Sequence, residues 1–258
     1  MKIAAFMLFL ILGAGSQAQE ITIAAAADLR SALDEISSRF QAETGMHVKV
    51  VYGSSGNLFQ QIQNGAPFDL FFSANSDYPK KLEAANLTVA GSYYEYARGH
   101  LVLLASGNSN LQLQQGLKVL LEPSVKRIAI ADPTHAPYGQ AAVAALKSQG
   151  VYDQVSSKIV VGENVSQAAS FVTSGAADVG IVAKSLAVLP SARSRTRFVE
   201  IPSDQYPAIQ QACVLLKSST NVEPARRFLT YIQGPEASNI LQLHGFEVPS
   251  VRTTQHLR

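Results

Sequence analysis

The chain has no tryptophan, one cysteine and few charges, which make up only 16% of its 258 residues. A single cysteine, Cys213, cannot close an internal disulfide, and its apolar neighbours in QACVLL point to a buried thiol rather than a reactive one. Metal-ligand spacings are missing as well, since neither H-x-x-x-H nor C-x-x-C occurs. Lysine and arginine number 21 against 19 acidic residues, a net charge of +2 with no clustering behind it. The densest basic stretch, SARSRTR at 191–197, has three arginines and no interleaved aromatic, so it reads as a solvated turn and not as a nucleic-acid groove. Repeats and low-complexity tracts are absent, and no apolar run could span a bilayer as a helix.

The chain does have a 47% hydrophobic composition, ample for one large domain or two lobes. Its first residues have the form of an export signal: Met1 and Lys2 are a short positive start, residues 3–15 are apolar but too short to cross a membrane, and Ser16-Gln17-Ala18 offers small residues for cleavage. The expectation is a signal peptide at 1–18, cleaved after Ala18, and a soluble periplasmic protein. No cysteine follows the apolar stretch, so a lipid anchor is not indicated.

Strand-like and helix-like patterns alternate along the rest. Residues 20–26 read as a strand, and Leu29, Ala32, Leu33, Ile36 and Phe40 then recur at helical spacing until Gly45. A strand at 47–52, a helix through Leu58 and Ile62, a buried parallel strand within 68–74 and a helix near 79–85 follow. This βαβαβ order predicts an α/β fold with a doubly wound sheet. A long extended stretch at 93–105 leads into a second series: strands at 127–131, 158–161 and 177–182, with helices at 138–149 and 165–174 between them. Extended segments at 198–201 and 208–216 precede two helices that each begin with proline, at 224–233 and 235–244. Two series joined by two crossings predict two lobes, one of residues 19–97 plus 208–258 and the other of 98–207, with a ligand in the cleft at the strand ends.

Four of the predicted strands break into loops of small residues that open a helix: AAAADL (24–29), YGSSGNL (52–58), ADPTHAPYGQ (131–140) and VGENVSQ (161–167). A helix start carries about half a positive charge and several N–H groups without partners. Four of them converging would hold an anion without lysine or arginine. Ser55 adds a hydroxyl donor, Tyr138 a phenolic one, and Asn164 fits an N-cap that leaves the Val165 N–H free. The other reading of GSSG is a serine that simply caps its helix. Asp28 is a carboxylate beside an anion site, and the expectation is that its side chain turns back as a cap.

Taken together, AAAADL, GSSGNL, QIQNGAPFDLFFSA (61–74), YARGHLVLLA (96–105), ADPTHAPYG and VGENVSQAASFV resemble the periplasmic molybdate-binding proteins of molybdate ABC transporters over nearly all of the mature chain. NGAPFDLFFSA followed downstream by DPTHAPYG is the specific combination. The resemblance implies a type II periplasmic binding protein fold, each lobe a doubly wound sheet, closing on a dehydrated tetrahedral dianion. It implies molybdate or tungstate as ligand, a membrane permease of an ABC transporter as partner, a monomer, no nucleic acid, no cofactor and no catalytic residue. Any metal is bound only as its oxyanion. Carried over by position, the oxyanion site is Ala27, Asp28, Ser55, Tyr138 and Val165. Many relatives have serine or threonine in the first loop where this chain has Ala27 and Asp28. One branch has a tyrosine at the position of Ala183, another at that of Tyr138, and this chain fits the second.

Other readings have less behind them. Sulfate or phosphate could occupy the same fold. A secreted hydrolase could use Ser54 or Ser55 with one of His47, His100, His135, His244 or His256, but GSSG is not the G-x-S-x-G elbow and nothing in the sequence pairs a histidine with it. A ferric site could use Tyr93, Tyr94, Glu95 and Tyr96, but strand alternation puts them on opposite faces.

Overall fold

A computed structural model describes residues 20–189, 192 and 194–249, so the expected signal peptide at 1–18 and parts of the arginine-rich stretch lie outside the described residues. The first sheet contains β1 (Glu20–Ala26), β2 (His47–Gly53), β3 (Leu70–Ser73), β4 (Tyr94–Gly99) and, from much later in the chain, Ile209–Leu215. β1 is central to the parallel part: Ile23 lies opposite both Val50 of β2 and Leu70 of β3. Helix α1 (Arg30–Thr44) buries Ala32, Leu33, Ile36 and Phe40, the face read from their spacing. It ends where Gly45 turns left-handed at φ 71° and its N–H caps the Gln41 carbonyl. Helices α2 (Ser55–Gln63) and α3 (Asp77–Ala84) cover the opposite face through Leu58, Ile62 and Leu82, which pack with Phe71 and Val214.

The second sheet contains β5 (Leu101–Ser106), β6 (Ile128–Ala131), β7 (Ile159–Gly162), β8 (Val179–Ala183) and β9 (Thr196–Glu200). Helices α4 (Pro137–Ser148), α5 (Tyr152–Val155), α6 (Val165–Thr173) and α7 (Lys184–Ala187) belong to this half. The chain then returns through β10 (Ile209–Leu215) to the first sheet and closes with α8 (Val222–Ile232) and α9 (Pro235–Leu243). Both terminal helices pack on the first sheet, with Phe228 and Ile240 in one core with Ile21, Leu33 and Phe72.

The two strand orders match: β2-β1-β3-β10-β4 in one lobe and β7-β6-β8-β5-β9 in the other. In each, the first three strands are parallel, the fourth (β10 or β5) runs against them, and the fifth (β4 or β9) runs against the fourth. The doubly wound reading therefore describes the parallel part, and the antiparallel strands are those next to the crossings. The stretch at 93–105 is not one strand. It divides at His100 into β4 and β5, which belong to different sheets. The second crossing runs through 201–208, and the Tyr206 hydroxyl accepts the Leu101 N–H at 3.1 Å, tying the two crossings together.

The first core is anchored by aromatic edges. Phe228 is fully buried and meets Phe40 at 5.0 Å and 84°, and Phe72 at 6.2 Å and 79°. Replacing Phe228 with alanine should cost about 3–5 kcal/mol in urea unfolding. A loss below about 1 kcal/mol would show that α8 does not hold this core.

Candidate functional site

The four small-residue loops follow the C-terminal ends of β1, β2, β6 and β7, the same two strands in each lobe. They meet at a small pocket between the lobes. Ala27, Asp28, Ser55, Tyr138 and Val165 all line it, so the five residues read from the sequence are brought together. Ala26, Gly53, Ser54, Ala136, Pro137 and Asn164 complete most of the wall. No lysine, arginine or histidine is among the lining residues.

Three of the four loops present the cavity with donors. Asn164 caps α6 as expected, its side chain accepting the Ser166 and Gln167 N–H groups at 3.1 Å. The Val165 N–H at the first helical position has no intrahelical acceptor. Ser55 is completely buried, and its Oγ accepts the Ala74 N–H at 2.9 Å, so its own hydrogen remains to be donated. Pro137 opens α4, where a missing N–H costs nothing, and puts Tyr138 at the second position. Tyr138 is 2% exposed, and its hydroxyl accepts from Gln211 Nε2 at 3.1 Å, with its own hydrogen within reach of the Asp28 carboxylate.

Asp28 departs from expectation. It caps nothing: it lies inside a 3-10 turn, Ala27–Leu29, that runs into α1. Its carboxylate is buried, with Oδ2 accepting from Gln211 Nε2 at 2.6 Å and Oδ1 without a partner. Burial pushes the carboxyl up to about 6, although the bond from Gln211 and the nearby Tyr138 hydroxyl pull it down. Gln211 is in turn fixed by Tyr96, whose hydroxyl donates to Gln211 Oε1 at 2.8 Å. Neither Gln211 nor Tyr96 was read as part of the site. A glutamine inside the apolar strand IQQACVL, on the same face as buried Cys213 and Leu215, was the signal available in the sequence.

The lobes also bond to each other around this cavity. The Gly56 N–H donates to the His135 carbonyl at 2.9 Å, and Ser54 Oγ shares a hydrogen bond with His135 Nδ1 at 2.7 Å. Ser166 Oγ donates to the Ala27 carbonyl at 2.9 Å and Ser185 Oγ to the Asp28 carbonyl at 2.8 Å. Ser54 occupies the N-cap position of α2 but makes no side-chain cap, because its hydroxyl reaches across the seam instead.

A family model for bacterial extracellular solute-binding proteins matches residues 21–247. The chain belongs to this family. Among curated members it is 36% identical to the molybdate-binding protein ModA of Azotobacter vinelandii, covering 92% of this chain and 93% of the other. It is also 36% identical to the molybdate-binding protein ModA of Rhodobacter capsulatus, over 89% and 88%. The solved structure of the Azotobacter vinelandii periplasmic molybdate-binding protein superposes with a TM-score of 0.84 at 34% identity, covering 89% of this chain and 99% of that one.

The relatives are solute-binding proteins, which agrees with the expectation that the chain is not an enzyme. The structure does pair a histidine with the GSSG loop, which the sequence did not reveal. His135 bonds to Ser54 through Nδ1, and its Nε2 lies 3.3 Å from Asp132 Oδ2. In this solute-binding protein the chain Ser54–His135–Asp132 lies on the seam between lobes and ties one to the other. Tyr93 and Glu95, weighed as metal ligands, bond to one another at 2.6 Å and do not line the cavity.

Two expected outcomes follow from this geometry. A Cβ at Gly56 would lie 2.6 Å from the His135 carbonyl oxygen and 2.9 Å from the Tyr78 hydroxyl. Gly56→Ala should therefore hold the lobes apart, enlarging the radius of gyration in X-ray scattering relative to the unchanged protein, and an unchanged scattering curve would contradict the seam. For Asp28, a folded-state value raised above the ordinary 3.8 favours the folded protein at low pH, and that contribution is lost as pH rises through about 6. Asp28→Asn should thus raise the melting temperature more at pH 8 than at pH 4. An equal change at both would show that the carboxyl does not titrate on folding.

Proposed function

We propose that this protein binds molybdate between its lobes in the periplasm and delivers it to an ABC-type permease. The observation that carries this reading is the convergence of four strand-end loops on one pocket whose lining has no cationic side chain. The curated relatives named as molybdate-binding proteins support the same reading. In it, the Ser55 hydroxyl and N–H, the Val165 N–H, the Tyr138 N–H and hydroxyl and the turn at Ala27 and Asp28 surround the anion. Neutral donors leave its two charges intact, and helix starts favour them. A protonated oxyanion would set donor against donor, and smaller sulfate would stretch the bonds. Tungstate has the same shape and charge and fits the same donors.

In this proposal the lobes, residues 19–97 plus 208–258 and 98–207, move about the two crossings, and the bound anion shifts the hinge equilibrium toward closure. Cleavage after Ala18 releases a monomer that shuttles between ligand and permease. The test is calorimetric titration of residues 19–258 with molybdate, tungstate, sulfate and phosphate. The expected result is one-to-one binding of the first two alone. Ser55→Ala should weaken molybdate binding by about 1.5–3 kcal/mol, roughly 10- to 150-fold, the worth of a hydrogen bond to a charged group. Sulfate or phosphate binding in place of molybdate would overturn the specificity.

A further inference from the structure

Asp28 brings a carboxylate into a cavity otherwise lined by neutral donors, and that is a conflict if the ligand is a dianion. The residue is 2% exposed and lines the cavity, and its Oδ1 is buried without a partner. Its other oxygen is committed, since Oδ2 accepts from Gln211 Nε2 at 2.6 Å. The Gln211 amide is oriented with Nε2 toward Asp28, since Tyr96 donates to Oε1 at 2.8 Å and Nε2 also donates to the Tyr138 hydroxyl. The network therefore fixes which oxygen of Asp28 is an acceptor and leaves Oδ1 as the atom that can take a proton.

Among the described residues, nothing around Asp28 supplies a compensating positive charge. From β4 it faces Tyr96 and from α4 Tyr138, both held neutral by burial and by the carboxylate itself. From β10 it faces Gln211, and buried Cys213 on the same strand is also held as the neutral thiol. From α6 the neighbouring groups are Val165 and Ser166, which do not titrate. In α7, Ser185 bonds to the Asp28 carbonyl, while the Lys184 ammonium is paired with Glu200 at 2.5 Å. Arg30, two residues along, stacks over the Tyr52 ring at 4.2 Å. His135, across the seam, is bonded to Ser54 and lies beside Asp132. Burial, opposed by hydrogen bonds that lower it, already holds the carboxyl up at about 6, and a dianion alongside it moves it in the same direction.

We propose that Asp28 binds the oxyanion as the neutral acid, taking up one proton per ligand and donating it from Oδ1 to a ligand oxygen. This deepens the oxyanion reading above and rests on it. Asp28 then supplies the first-loop donor that a serine or threonine would otherwise give, at the cost of making affinity depend on pH. Only the protonated fraction of the free protein is competent, so the apparent Kd rises as that fraction falls. Above the free carboxyl value the affinity should drop about tenfold for each pH unit. A fully deprotonated oxyanion is favoured, since an acid facing a protonated ligand oxygen would put donor against donor.

The test is calorimetric titration of the mature protein with molybdate at pH 7 and pH 8, each in two buffers of different ionisation enthalpy, which counts protons directly. The unchanged protein should take up close to one proton per molybdate at pH 8 and bind about tenfold more weakly there than at pH 7. Asp28→Asn, an amide that donates without titrating, should take up none and lose the pH dependence. Molybdate binding with no proton uptake would overturn this inference and leave the oxyanion reading intact, and so would proton uptake that persists in Asp28→Asn. Absence of molybdate binding at either pH would overturn both. The proton count on the unchanged protein decides the matter even if the variant does not fold.

Discussion

An α-helix leaves its first N–H groups without acceptors, and this protein directs helix starts from both lobes into one place. Most of the surrounding structure is what that arrangement requires. A parallel strand followed by a helix puts each start at the strand's C-terminal end. Matching strand orders in the two sheets put the loops after β1 and β2 opposite those after β6 and β7. Donors held by backbone need no long side chain, and so lose little conformational freedom when the lobes meet.

Small residues make the approach possible. A Cβ at Gly139 would lie 2.2 Å from the Ala131 carbonyl oxygen, where the start of α4 presses on the end of β6. At Gly162 a Cβ would come within 2.8 Å of the Ala168 nitrogen, where α6 folds back over β7. On the other side, Ala25 and Ala26 end β1 fully or almost fully buried. The polar chain from Tyr96 through Gln211 to Asp28 crosses this apolar ground with nearly every group paired, and its one unpaired oxygen belongs to a residue that lines the cavity. A buried polar group without a partner is costly, so a ligand that supplies one has a free-energy advantage built into the site.

Much of this was legible in the sequence, and the reasons are local. Helix α1 announces itself by Leu33, Ile36 and Phe40 at helical spacing with Gly45 after them, and Asn164 before VSQAASFV is a cap that forms as read. The convergence of AAAADL, GSSGNL, DPTHAPYG and GENVSQ was also accessible, because strand-to-helix loops of small residues fall on one edge of a parallel sheet. What escaped were contacts made only when distant segments meet. Ser54 looks like a helix cap until His135 lies opposite it, 81 residues away. Asp28 looks like a cap until Gln211, 183 residues away, takes its carboxylate. The break at His100 was hidden because both sides of it are apolar and extended, and local pattern does not say that β4 and β5 join different sheets.

The central claim is that the anion is held entirely by hydrogen bonds, with no protein atom bonded to its metal. X-ray absorption at the molybdenum edge of the loaded protein tests this most directly. The account predicts the spectrum of a tetrahedral oxyanion, with four short molybdenum–oxygen bonds and nothing else in the inner sphere. A fifth or sixth oxygen ligand would mean that Asp28 coordinates the metal as a carboxylate, and would contradict both the neutral cage and the proton it is proposed to take up.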